Sequence, residues 1–147
     1  GLVYGRRIAE TVIARLREPV PPGAARPADG SDGLMSDHVR PALQQLMSRH
    51  VGVLRDLKGL DEAERGLAEL GPNGSDAAPS TENWEATNLY TVARTLVQVA
   101  KLREETRGSH WRDDFPDRDD EHWLGHLDTT LTDDGTLASQ FVPGGTG

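Results

Sequence analysis

Arg103-Glu-Glu-Thr-Arg-Gly-Ser-His-Trp-Arg-Asp-Asp-Phe-Pro-Asp-Arg-Asp-Asp-Glu-His-Trp-Leu-Gly-His126 is the most informative part of this chain. It packs Arg, Asp, His and Trp around one Gly and one Pro. A solvated charged segment has no need of two tryptophans and a phenylalanine. A buried segment cannot carry so many ions unless they pair. The run is therefore expected to be a folded-back, partly buried turn. Gly108 is expected to end the preceding helix as its C′ residue. Pro116 keeps the residue before it out of helix. Trp111 and Phe115 are the expected apolar anchors. Arg107, Arg112 and Arg118 lie among Asp113, Asp114, Asp117, Asp119 and Asp120, where guanidiniums make bidentate pairs. Arg107 is expected to be the buried one, because it sits at the helix end, next to the core and the turn, where the dipole favours a cation.

Working back from this run, Thr81 to Thr106 carries the longest helical pattern. Ser80 or Thr81 caps it. Trp84, Leu89, Val92, Leu96, Val99 and Arg103 mark the expected core face, with Ala93, Val97 and Ala100 beside it. On that reading Leu96→Ala destabilises by roughly 2–5 kcal/mol and Val97→Ala by less. Asn73 to Ser80 is a loop. Leu60 to Leu70 is a helix stopped by Gly71-Pro72. A further helix starts between Ser36 and Arg40, with Ser36 as N-cap and Pro41 in the first turn. Its face runs Val39, Leu43, Leu46, Met47, His50 and Leu54, and Gly59 or its neighbours interrupt it. Pro19 to Gly33 is a Pro/Gly-rich linker. Gly1 to Glu18 reads as helix, with no capping residue before Leu2 and no initiator Met. The expectation is a piece of a longer protein.

Working forward, Leu127 to Leu131 faces Leu137 to Phe141 across Asp134-Gly135, a strong hairpin signal. Pro143 to Gly147 is a tail. The expected fold is all-α: an antiparallel three- to four-helix bundle, spectrin-repeat-like, with a small C-terminal β-hairpin. Residues 1–126 form the helical part and 127–147 the hairpin and tail of the same domain.

The chain has 147 residues, 35% of them hydrophobic, and a formal net charge of -8. That charge argues against nucleic acid, whose phosphates are bound by Lys and Arg. No cysteine is present, which excludes disulfides and thiolate chemistry and fits a cytoplasmic setting. No apolar run approaches the roughly 20 residues of a membrane span.

Each candidate for chemistry has a plain structural reading beside it. His122 and His126, four apart, share a helix face and with Asp119 or Glu121 make a possible metal pair, or are two surface histidines beside Trp123. His110 is a candidate acid-base group or a turn histidine. The Asp113-Asp114 and Asp119-Asp120-Glu121 clusters either bind a divalent cation or pair with Arg112 and Arg118. The structural reading is favoured in each case. No phosphate loop and no catalytic triad order is present.

Glu105-Thr-Arg-Gly-Ser-His-Trp-Arg-Asp-Asp-Phe-Pro-Asp-Arg-Asp-Asp-Glu-His-Trp-Leu-Gly-His126 resembles the end of the flavoprotein family of succinate dehydrogenase, fumarate reductase and L-aspartate oxidase. There the pattern is approximately E-S-R-G-x-H-x-R-x-D-F-P-x-R-D-D-x-x-W-x-x-H. Thr106 stands where Ser is usual. Leu46-Met-Ser-Arg-His-Val-Gly-Val-Leu-Arg55 with Leu60 resembles the family's second helix. Gly1-Leu-Val-Tyr-Gly-Arg-Arg-Ile-Ala9 looks more like the L-aspartate oxidase branch.

The resemblance implies an FAD enzyme that oxidises L-aspartate to iminoaspartate for NAD biosynthesis. Its nucleotide loop and substrate residues would lie before Gly1. This chain would be a helical accessory domain docked on the FAD-binding domain, with no catalytic, cofactor-binding or metal residue of its own. The motif Arg107, Gly108, His110, Arg112, Asp114, Phe115, Pro116, Arg118, Asp119, Asp120, Trp123 and His126 would serve structure and interdomain contact. The other readings are the matching domain of a respiratory flavoprotein subunit, or a free-standing helical interaction module.

Overall fold

The computed structural model describes residues 2–15, 33–71, 77–132 and 134–144. The linker expected at 19–33 lies outside them except for Gly33, as do residues 73–76 of the loop expected at 73–80 and the end of the tail. The chain divides into two units, Gly1–Gly30 and Ser31–Gly147. The first contains α1, Leu2–Arg15, in which Arg6 pairs with Glu10 at 2.8 Å one turn on.

The second unit is mostly helical. Ser36 accepts the His38 N–H and opens a short 3-10 turn, Asp37–Val39, that leads into α2, Arg40–His50. α2 stops at His50, four residues before the Leu54 that the apolar pattern had assigned to it. Residues 54 and 55 are instead a two-residue strand, β1. Asp56 then caps α3, Leu57–Leu70, by accepting the Gly59 N–H at 2.7 Å. Gly59 therefore sits in a helix's first turn and does not interrupt one. Ser80 caps α4, Thr81–Leu102, through the Asn83 N–H.

α4 ends earlier than the sequence suggested. Its C-cap is Arg103, and residues 103–110 are not helical. The face of α4 also differs. Its buried residues are Ala86, Tyr90, Ala93, Val97 and Ala100, whereas Trp84, Leu89, Val92 and Leu96 are 40–55% exposed. The core joins Ala86, Tyr90, Ala93 and Val97 to Met35, Leu43 of α2, and Ala63 and Leu67 of α3. Three of the five buried positions on α4 are alanines, so the neighbouring backbone comes close; the Tyr90 hydroxyl reaches the Leu67 carbonyl at 3.0 Å. Larger residues on that face would overfill the space. The expectation for Leu96→Ala and Val97→Ala is therefore reversed: Val97 is in the core.

β2, Trp111–Arg112, pairs in parallel with β1 (Leu54 opposite Trp111, Arg55 opposite Arg112). This second β pairing departs from an all-α chain with one hairpin. α5, Asp120–Trp123, is a single turn capped by Asp119. β3, Gly125–Leu131, and β4, Leu137–Pro143, form the antiparallel hairpin, with Leu127 opposite Phe141 and Leu131 opposite Leu137. Its connection is five residues, 132–136, with Gly135 at φ 78. Polar contacts hold the hairpin on α4: the Gln98 amide donates to the Leu137 carbonyl and the Ser139 hydroxyl.

Candidate functional site: a buried charge network at the end of the long helix

The segment from Arg103 to Asp120 returns along the helices, as its composition suggests, but different residues hold it. Its centre is Glu105, which is fully buried. The carboxylate accepts from Arg103 Nη1, from Arg107 Nε at 2.8 Å and Nη2 at 3.0 Å, and from the Asp119 backbone N–H at 3.0 Å. Burial alone pushes this carboxyl up. The bonds from Arg107, Asp119 and Arg103 outweigh it and leave the group below its usual 4.5. Arg103 also donates to the Trp123 and Gly125 carbonyls at 3.0 Å and stacks on the Trp123 ring. Trp123 in turn meets Phe141 edge to face. Glu105 therefore ties the end of α4 to α5 and the hairpin.

The second centre is Arg112, also fully buried. Its Nη1 donates to the Ala100 carbonyl at 2.6 Å and the Lys101 carbonyl at 3.2 Å, both near the end of α4. Its Nε and Nη2 grip Asp114 bidentately at 2.8 and 2.7 Å, and its Cζ lies 5.0 Å from the centre of the Phe115 ring. Asp114 also accepts the Leu57 N–H, at the first residue of α3. One ion pair thus places a cation on the orphan carbonyls at the end of α4 and an anion at the start of α3, each where the helix dipole favours it. Arg112 holds Asp114 below its usual 3.8.

Arg107, expected to be the buried arginine, is one quarter exposed and is shared between Glu105 and Asp120, with Nη2 at 2.6 Å from Asp120. It lies in extended chain after the helix, so the burial went to the arginine that reaches back to the helix carbonyls. Asp120 also takes Arg118 and is lowered to about 2, through Arg118 first and Arg107 second. Gly108 is not a helix C′ residue. It has φ 59 in a two-residue turn whose flanks, Arg107 and His110, exchange backbone bonds at 2.8 and 3.0 Å. No non-glycine among the described residues, Ser109 included, has positive φ, so this is the pattern of a II′ turn with Gly first. Thr106 accepts the Arg112 N–H and donates to the Phe115 carbonyl, so a hydroxyl is what the position uses. Trp111 is 41% exposed and is no anchor; its indole N–H goes to Asp113. Pro116 is exposed and outside any element.

His122 and His126 do not share a helix face. His122 lies inside α5 with its ring on Asp119, and His126 is in β3, 3.4 Å from Asp128. Among the described residues no three His, Asp or Glu gather as a metal-ligand set. Nor does the network fit a flavin. Arg103, Arg107 and Arg112, the groups suited to a diphosphate, are all engaged by carboxylates or carbonyls of the chain itself. Among the described residues, no helix is long and apolar enough to cross a membrane.

Sequence reasoning quoted Glu105 as the first residue of the family pattern but gave it no role. The signal for Glu105 was present: Arg103, Glu105 and Arg107 are two apart, and in extended chain such residues share a side.

Known proteins similar to the chain are flavoprotein oxidoreductases of more than one kind. The chain is 40% identical to an L-aspartate oxidase of Streptomyces coelicolor over 94% of its length and 27% of that protein. It is 33% identical to a fumarate reductase flavoprotein subunit of Mycobacterium tuberculosis over 78% of its length and 21% of that protein. It thus spans about a quarter of the relatives it matches. An E. coli quinol fumarate reductase shares the fold at TM-score 0.58 and 22% identity, over 94% of this chain and 24% of that one. Residues 40–141, from α2 through the return segment and the hairpin, match the family described as fumarate reductase flavoprotein C-terminal, and the chain belongs to that family.

Proposed function

We propose that this chain is the C-terminal helical-bundle domain of an FAD-dependent L-aspartate oxidase, hairpin and tail included. The parent would be a cytoplasmic enzyme that converts L-aspartate to iminoaspartate for NAD biosynthesis. The observation that carries the branch is the 40% identity with an L-aspartate oxidase across 94% of the chain. The respiratory branch is the second reading, supported by the 33% identity with a fumarate reductase flavoprotein subunit over 78% of the chain.

In this reading the domain performs no chemistry. Glu105 and Arg112 hold the return segment rigid, and that segment with α4 docks on the FAD-binding domain. FAD and L-aspartate are bound elsewhere in the parent, and the 147-residue chain alone is colourless. The test is the full open reading frame, purified and assayed with L-aspartate and with succinate. L-Aspartate-dependent reduction of bound flavin, with oxygen or fumarate reoxidising it, supports the assignment. Succinate oxidation without L-aspartate turnover moves the protein to the respiratory branch. A reading frame with no dinucleotide-binding loop upstream removes both.

A further inference from the structure

Among the described residues, one guanidinium near the network, that of Arg55, has no carboxylate within 4 Å, although Asp56, Glu62 and Asp113 line the surface on its other side. Arg55, in β1, makes a single side-chain hydrogen bond among the described residues, from Nη1 to His110 Nδ1 at 3.3 Å. Its Nε is buried without a partner. Arg103, Arg107, Arg112 and Arg118 each have a carboxylate within 3 Å. His110 cannot supply the missing charge. Its Nε2 lies 3.1 Å from the Arg103 carbonyl and its Nδ1 faces an Arg donor, so the proton sits on Nε2 and the ring is neutral. Burial, then the charges of Arg55, Arg112 and Arg103 acting against the Arg103 carbonyl bond, keeps His110 below its usual 6.5.

Arg55, Arg103 and His110 supply polar groups to the lining of a cleft of about 330 Å³. Its walls are Val51, Leu96, Val99 and Leu127, and His126 stands among them. No Asp or Glu lines it. An unpaired, half-dry guanidinium is a costly arrangement that a counter-ion relieves. The planar fork suits a carboxylate, and aliphatic walls suit one carried on hydrocarbon rather than a heavily hydrated phosphate. The cleft also explains why Leu96 is an exposed leucine on a helix otherwise buried on its alanine side.

We propose that this cleft is a carboxylate-binding site in which Arg55 grips the carboxylate and His110 positions Arg55. The carboxylate is either a free small acid or an acidic side chain from another part of a longer parent. The site stands whether or not the parent oxidises L-aspartate.

The test follows the His110 ring protons by NMR in the 147-residue chain, titrated with sodium acetate and, at equal ionic strength, sodium chloride. The charged and titratable groups around that ring are Arg55 from β1, Arg103 after α4, Arg112 from β2 and His126 from β3. Acetate should give a saturable shift that chloride does not, and bound acetate should raise the His110 pKa by adding negative charge beside it. A purely structural Arg55–His110 contact predicts neither. Arg55→Gln should abolish the shift. Arg55→Lys, which keeps the charge without the fork, should weaken binding roughly tenfold and decides the matter if Arg55→Gln does not fold. In the full-length protein, a His110 signal that still titrates with acetate identifies a free acid as ligand. One already at the acetate-bound position and insensitive to added acetate identifies a side chain. An acetate response equal to that of chloride, together with an unshifted His110 in the full-length protein, overturns the site. So does a shift that survives both Arg55 variants.

Discussion

The helical core and the return segment lie side by side and are held by opposite means. Ala63, Leu67, Ala86, Ala93 and Val97 bury apolar surface around Tyr90 and leave backbone hydrogen bonding to the helices themselves. The segment from Arg103 to Asp120 has almost no regular structure. Its fully buried side chains are Glu105 and Arg112, and its tryptophan is exposed. Where chain leaves a helix, its N–H and C=O groups still need partners. Here Arg112, Glu105, Thr106 and Asp114 supply them from side chains. A polar network takes the place of a core, and it tolerates the loss of a member far less well than an aliphatic cluster tolerates the loss of a methyl group.

The two regions should differ most in their response to Glu105→Ala. It leaves Arg103 and Arg107 facing one another without the buried carboxylate, and should cost about 3–5 kcal/mol in chemical denaturation. Acid should act on the same groups. The folded carboxyls of Glu105 and Asp114 lie below their usual 4.5 and 3.8, so the unfolded chain takes up protons first as the pH falls. Their contribution is whole above about pH 5 and is lost as the pH drops through those values toward the folded ones. Amide exchange between residues 103 and 120 should rise on acidification before exchange in α3 and α4. Simultaneous loss would mean the two regions are one cooperative unit.

In the core, Leu67→Ala should cost about 2–5 kcal/mol, whereas Leu96→Ala on the exposed side of α4 should change stability by about 0.5 kcal/mol or less. Equal costs would show that Leu96 is covered in solution. Gly108→Ala isolates backbone strain, since an added Cβ meets nothing within 4 Å and only the positive φ of 59 resists it. About 1–2 kcal/mol is expected from thermal melts, with Gly108→Asn milder. The smallest effect should come from Arg118→Ala. Arg118 and Asp120 are more than half exposed, and Asp120 keeps Arg107, so the unfolding midpoint should not move measurably.

Local chemistry determined much of this molecule. Ser36 and Ser80 cap where their side chains reach the next turn, and Gly71 ends α3. The alternation after residue 125 produces a hairpin in the expected register, and the density of opposite charges produces internal pairing. Tertiary structure decided three other things. Two stripes compete on α4, one through Leu89, Val92 and Leu96 and one through Tyr90, Ala93 and Val97. Periodicity identifies the helix in either case, and only the nearness of α2 and α3 selects the smaller residues. The helix stops at Leu102 because Arg112 reaches back to the Ala100 and Lys101 carbonyls. Composition cannot assign burial among four neighbouring arginines, because it depends on which one the β1–β2 pairing aims at the end of α4. Capping and alternation are short-range and readable along the chain, whereas the choice of face, helix end and buried charge depends on groups brought together from far apart in it.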